Sequence, residues 1–236
     1  MAEIICEGQS TRHINLQIKQ LINQGETEFL VKESKAQHNL GVAILQPVDI
    51  VFDGSVGYYC AGMIDGPTVK VKGSAGWGLA ESMMNGTVIV EGCVGNGAAA
   101  SIRGGTVVIH NDAAARLGVS MKGGLILVAG NCGYMAGFMA QKGTIIVCGN
   151  TGEAFADSMY ESVCFVGGEI AELGNDAVIE EPTEEDLRFL TLTLSNHLPQ
   201  ENQYLSNDIH KYKKIVSGRK LWNFNKKERE IWREAL

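Results

Sequence analysis

The stretch TVKVKGSAGWGLAESMMNGTVIVEGCVGNGAAASIRGGTVVIHN (68–111) contains three β-branched runs, each closed by Gly or Asn. The pattern extends both ways. The runs IVFDG, VKVKG, VIVEG, VVIHN, ILVAG, IIVCG and CFVGG begin at 50, 69, 88, 107, 126, 145 and 164, a constant spacing of 19 residues. Other columns keep the same register. The fifth position is Gly54, Gly73, Gly92, Asn111, Gly130, Gly149 and Gly168, and the eighth is Gly57, Gly76, Gly95, Ala114, Gly133 and Gly152. The twelfth is always Ala or Gly. One short strand and several glycines are too little to enclose a core, so such units must stack. The expected architecture is a right-handed, single-stranded parallel β-helix of about seven 19-residue coils, each one strand spacing (~4.8 Å) above the last. The fifth- and eighth-position residues are expected at its corners, where glycine, or Asn at 111, tolerates a left-handed backbone.

Strand alternation divides the faces. Ile50, Phe52, Val69, Val71, Val88 and Val90 begin an inward ladder, and Ile64, Met83, Ile102, Met121, Ala140 and Met159 form a second. The outward strand positions are Val51, Lys70, Ile89, Val108, Leu127, Ile146 and Phe165. From Ile89 onward this face is apolar, and so long a ribbon needs a cover. Ile89, Val108, Leu127 and Ile146 are therefore expected to meet the terminal helices or a partner subunit.

Three parts follow: an N-terminal helix and strand cap (1–49), the β-helix (50–175) and a C-terminal helical, basic extension (176–236). Residues 11–24 have a helical apolar face ending at Gly25, while EFLVK (28–32) and GVAIL (41–45) have strand character. Thr183 and Asp186 make a capping box for a helix carrying Leu187, Leu190 and Leu194. Asn225 precedes a second capped helix signal near the end.

The net charge of −7 is uneven: residues 211–236 hold nine Lys or Arg against three Glu, and the remainder is acidic. An acidic body disfavours nucleic acid. No apolar run is long enough to span a bilayer, and the start lacks a secretory signal, so a cytoplasmic location away from membranes is expected. The six cysteines contain no CxxC pair and are expected to be reduced, mostly buried thiols. The serines at 82, 101, 120 and 158 lie in no GxSxG elbow, and the histidines show no metal-ligand spacing. GSAGWG (73–78) resembles a phosphate loop, but its glycines recur in every coil. Neither a catalytic residue nor a cofactor or metal ligand is assigned. The polar departures from the repeat, Arg116 and the group Glu153, Asp157 and Tyr160, are candidate interface contacts or, if the chain is a free-standing binding module, a small-molecule site.

These coils resemble the C-terminal β-helix, the GXGXG domain, of the glutamate synthase large subunit. AQHNLGVAI (36–44), VGYYCAGM (56–63), DAAARLGVSMKGG (112–124), FMAQKGTIIVCGNTGEAFADSMYES (138–162) and RKLWNFN (219–225) are most similar to the free-standing GXGXG subunit of N-methylglutamate synthase, also called methylamine–glutamate N-methyltransferase. The β-helix subunit of formylmethanofuran dehydrogenase shares the coils more distantly. The resemblance implies a non-catalytic scaffold, with a class II glutamine-amidotransferase-like subunit and an FMN and iron–sulfur barrel subunit as partners. It leaves a homo-oligomer open.

Overall fold

Strands β3 (Asp49–Asp53), β4 (Asp65–Val71), β5 (Asn85–Val90), β6 (Thr106–Ile109), β7 (Lys122–Val128), β8 (Lys142–Val147) and β9 (Val163–Val166) stack in parallel, Ile50 on Val69, Val69 on Val88, and so on to Ile145 on Cys164. Each step is 19 residues, the spacing of the repeat, except at the starts of β4 and β7, where the register shifts by one residue between Asp65 and Thr68 and between Lys122 and Leu125. The computed structural model describes residues 1–198 and 209–218, and its strands form one 11-stranded sheet wound into a β-solenoid. The helix signal after Asn225 and the motif at 219–225 lie outside the described residues. Both inward ladders are buried, as is a third from Cys60, Leu79, Ala98, Leu117, Ala136 and Phe155.

The sheet continues beyond the regular coils. Strand β1 (Ala2–Ile5) pairs in parallel with β2 (Glu28–Lys32), and β2 with β3. Helix α1 (Thr11–Asn23), capped by Ser10, lies between β1 and β2 and buries Ile14 and Ile18 in the solenoid core. At the other end β9 receives antiparallel β11 (Lys213–Ser217), which pairs with β10 (Ala177–Glu180). This reversal ends the parallel stacking.

GVAIL is not a strand. Asn39, Gly41 and Ala43 have φ of 57°, 65° and 52°. The same alternation recurs at the tenth, twelfth and fourteenth positions of each coil, for example Tyr59, Ala61 and Met63, or Arg116, Gly118 and Ser120. Alternating left-handed residues also send side chains in and out with period two, so this turn face imitates a strand pattern: Leu40 and Ile44 are buried, as Cys60 and Ile64 are one coil later. Its amides bond between coils. Tyr59 N–H donates upward to Trp77 O (2.7 Å), Ala61 N–H downward to Leu40 O (3.0 Å), and Met63 N–H upward to Glu81 O (2.8 Å). A left-handed conformation costs a non-glycine residue roughly 1–2 kcal/mol, which satisfied coil-to-coil hydrogen bonds offset.

The fifth-position glycines have a different cause from the expected one. Only Gly54 has a positive φ (138°); Gly73, Gly92, Asn111, Gly130, Gly149 and Gly168 do not. What excludes a side chain is the coil below. A Cβ on Gly73 would lie 2.5 Å from Ser55 Oγ, and one on Gly149 2.6 Å from Asn131 Oδ1. Those oxygens belong to a polar ladder at the sixth position. Ser55 Oγ accepts from Ser74 N–H (3.0 Å), Ser74 Oγ from Cys93 N–H (3.2 Å), Asp112 Oδ1 from Asn131 N–H (2.7 Å), and Asn131 Oδ1 from Asn150 N–H (2.8 Å). Asn111 is the informative exception. The sixth-position residue below it is Cys93, and the Asn111 amide donates instead to Glu91 O (2.8 Å). The eighth-position glycines also meet the coil below: a Cβ on Gly95 would sit 2.6 Å from Trp77 Cδ1.

Gly73→Val and Gly92→Val should each cost about 3 kcal/mol or more, because overpacking here presses on backbone. Gly97→Ala, where the added Cβ meets nothing within 4 Å and only the φ of 68° is strained, should cost about 1 kcal/mol. Thermal unfolding of the three variants checks this order; equal losses would refute the close-approach account.

Candidate functional site

The outward strand ribbon is covered by the chain itself. Helix α2 (Glu184–His197) lies over it, and Leu190, Leu194, Leu198 and Tyr212 form one buried cluster with Val108, Leu127, Ile146 and Phe165. Ile89 is half-buried at the margin of this cluster. Below it Lys70 replaces an apolar residue and pairs with Glu91 at 2.8 Å. The Thr183–Asp186 capping box forms, and Asp186 also accepts from Lys214 Nζ of β11 at 2.8 Å. Partial burial pushes the Asp186 carboxyl up, but hydrogen bonds from Lys214 and Thr183 outweigh it and hold the group below its ordinary range. This depressed carboxyl stabilises the fold above its unfolded value and loses that contribution as pH falls through the folded one. Acid below about pH 4 should therefore loosen α2. Lys214→Ala should cost about 1–2 kcal/mol and move the acid midpoint upward, read by circular dichroism against pH. An unmoved midpoint would remove the anchor role.

Arg116, Glu153, Asp157 and Tyr160 are not gathered into one site. Arg116 is exposed at a tenth position, and Glu153 is exposed at a ninth position two coils higher. Asp157 is buried and occupied structurally: its carboxylate accepts from Ser158 Oγ (2.7 Å) and from Asn175 N (3.2 Å) and Nδ2 (2.8 Å). Tyr160 is half-buried, its N–H donating to Ala140 O (2.8 Å). Asp157 thus braces the end of the solenoid, while Arg116 and Glu153 stand apart from it on the surface.

The concave surface lies elsewhere on the turn face. At the tenth position Tyr59 and Arg116 carry side chains, but Gly78 and Gly97 between them carry none. The result is a notch of about 490 Å³, floored by Gly78 and Gly97 and walled by Trp77 and Tyr134 on one side and Glu81, Ala100 and Val119 on the other. Trp77 is 51% exposed and ends a stack with Tyr58 (5.3 Å between ring centres) and His38 (4.4 Å further). A second groove of about 440 Å³ shares Tyr59 and Glu81 and continues past Met63. Sequence reasoning passed over this site because its glycines fall in a column that holds Tyr, Arg, Met and Ala elsewhere; the gap in that column was the available signal.

The thiols sit in different surroundings. Cys6, Cys60, Cys132, Cys148 and Cys164 are buried, whereas Cys93 is exposed. Burial pushes the thiols of Cys6, Cys60 and Cys164 up, raises Cys132 to about 12 and raises Cys148 to about 11. Among the described residues no three His, Cys, Asp or Glu side chains converge as a metal-binding group, and no helix is long and apolar enough to cross a membrane. An aromatic disulfide reagent should titrate one thiol in the native protein and lose it in Cys93→Ser. Rapid modification of more than one would contradict the burial described.

A parallel β-solenoid with glycine-lined corners, a self-covered strand face and an open aromatic turn face is the class that these features define. The GXGXG motif family matches residues 5–232, and the chain belongs to that family. It is 50% identical over 206 residues to Protein GlxC of Rhizobium meliloti (strain 1021), spanning 86% of this chain and 88% of that protein. Among solved structures, it resembles a chain of the formyltransferase/hydrolase complex FhcABCD from Methylorubrum extorquens, determined by crystallography in complex with methylofuran. The TM-score is 0.62 at 26% identity, covering 73% of this chain and 67% of that one.

Proposed function

We propose that this protein is a non-catalytic scaffold subunit of a glutamate-synthase-like assembly. In that assembly a class II glutamine-amidotransferase-like subunit releases ammonia and a separate barrel subunit carries FMN and an iron–sulfur cluster. The product is glutamate or N-methylglutamate, and the assembly serves nitrogen metabolism in the cytoplasm. The observation that carries the reading is the match of the GXGXG motif family over residues 5–232. The likeness to one chain of a multi-subunit complex supports assembly with other subunits. Stacked coils suit such a role, because each is held on both sides by main-chain hydrogen bonds and the solenoid forms a stiff spacer.

A second reading makes the chain a counterpart of the β-helix subunit of formylmethanofuran dehydrogenase. It is favoured by the same structural likeness, since that neighbour belongs to a complex handling a formyl group and was solved with methylofuran. In this case the assembly would contain tungsten or molybdenum.

Affinity purification of the full-length chain from its native host separates these readings. The scaffold reading predicts co-purifying amidotransferase-like and flavin-barrel subunits, a flavin absorbance spectrum and iron in the assembly. Tungsten or molybdenum with formyl-transferring subunits would establish the second reading, and a chain that purifies alone would defeat both.

A further inference from the structure

The chain covers one apolar stripe with its own helix and leaves another open. Tyr59 (46% exposed), Trp77 (51%) and Tyr134 (46%) stand along the notch on the turn face. Tyrosine, tryptophan and arginine dominate the energetic centres of protein interfaces: the two aromatics bury much area with few rotors, and the planar guanidinium offers several hydrogen-bond donors. The concavity has a specific origin: Gly78 and Gly97 withhold side chains on two successive coils where the neighbouring coils present Tyr59 and Arg116.

We propose that this notch seats an extended segment of a partner subunit, apolar at its centre, with an acidic side chain against Arg116 and a basic one against Glu81. The proposal rests on the scaffold reading and names the surface by which the scaffold holds a partner. Charge supports this occupant. Glu81 and Arg116 lie two coil steps apart, ~10 Å along the axis, with opposite signs. Neither forms an ion pair among the described residues, although Lys32, Lys70, Lys72 and Lys214 are paired elsewhere. Length supports it too. From the Tyr59 coil to the Tyr134 coil is four steps, ~19 Å, the span of about six extended residues. Shape argues against a second copy, because a two-fold contact sets the same patch against itself and two concave surfaces do not fill each other.

The test uses the full-length chain in the assembly purified from its host, with the photoreactive amino acid p-benzoylphenylalanine at position 77. The same residue at Leu192, on the outer face of α2 and 64% exposed, is the control. The expected result is a crosslink from position 77 to a peptide of a co-purifying subunit. Trp77→Ala and Arg116→Glu should each lower the yield of that subunit more than tenfold, with the melting temperature of Arg116→Glu unchanged. Reversing the charge of the acidic residue in the crosslinked peptide should restore Arg116→Glu. A crosslink to a second copy of this chain, or no crosslink from position 77 in an intact assembly, would overturn the docking proposal while leaving the scaffold reading in place. So would full retention of the subunit by both variants. A wild-type chain that purifies without partners would overturn both.

Discussion

Every coil must lie one strand spacing from the next around its whole circumference, because its backbone amides and carbonyls have partners nowhere else. Along the strands a parallel ladder meets this demand. On the turn face the chain meets it by alternating left-handed residues, so that successive amides donate up and down to neighbouring coils. At the corner a polar sixth-position side chain reaches the amide 19 residues later. An unpaired buried amide or carbonyl costs roughly 1–3 kcal/mol, so a slip of one residue in any coil would incur that cost several times over. The unbroken 19-residue period is the sequence-level record of that constraint.

The glycines follow from it in two distinct ways. Some, such as Gly97 and Gly118, occupy the left-handed positions of the turn face. Others, such as Gly73 and Gly149, have ordinary backbone angles but sit where the ladder oxygen of the coil below takes the space of a Cβ. The two groups respond differently to substitution because backbone strain is local, whereas a steric conflict separates two coils. A solenoid built this way has little freedom to form a catalytic pocket inside, since its interior is filled by aliphatic ladders. What it can vary is its surface. One face receives α2, and on another two missing side chains cut a notch across the stack.

The strand starts, the inward ladders and the α2 capping box were legible because strand alternation and capping chemistry are local signals. The apolar ribbon from Ile89 to Phe165 showed that a cover was needed, and the alternation alone left open which segment supplies it. GVAIL misled because left-handed alternation and a β-strand share a period of two. The fifth-position column showed where glycine is needed but not why, since the cause lies in Ser55, Asp112 or Asn131 of another coil. Strand β1 was invisible as a member of the sheet: 13 helical residues separate it from β2 and interrupt the period. Arg116 stood out as a departure from its column, yet its surroundings on the notch depend on two absent side chains that composition does not weigh. The separation of Asp157 and Tyr160 from Arg116 is likewise a property of the winding.

If register is what holds the molecule together, the most direct measurement is the thermal unfolding of two internal deletions. Removing residues 88–106 takes out one whole coil and joins Thr87 to Val107 in phase. Removing 88–105 leaves the chain one residue out of phase. The account predicts a single cooperative transition near that of the intact protein for the first deletion and no folded state for the second. Equal behaviour of the two, folded or unfolded, would contradict it.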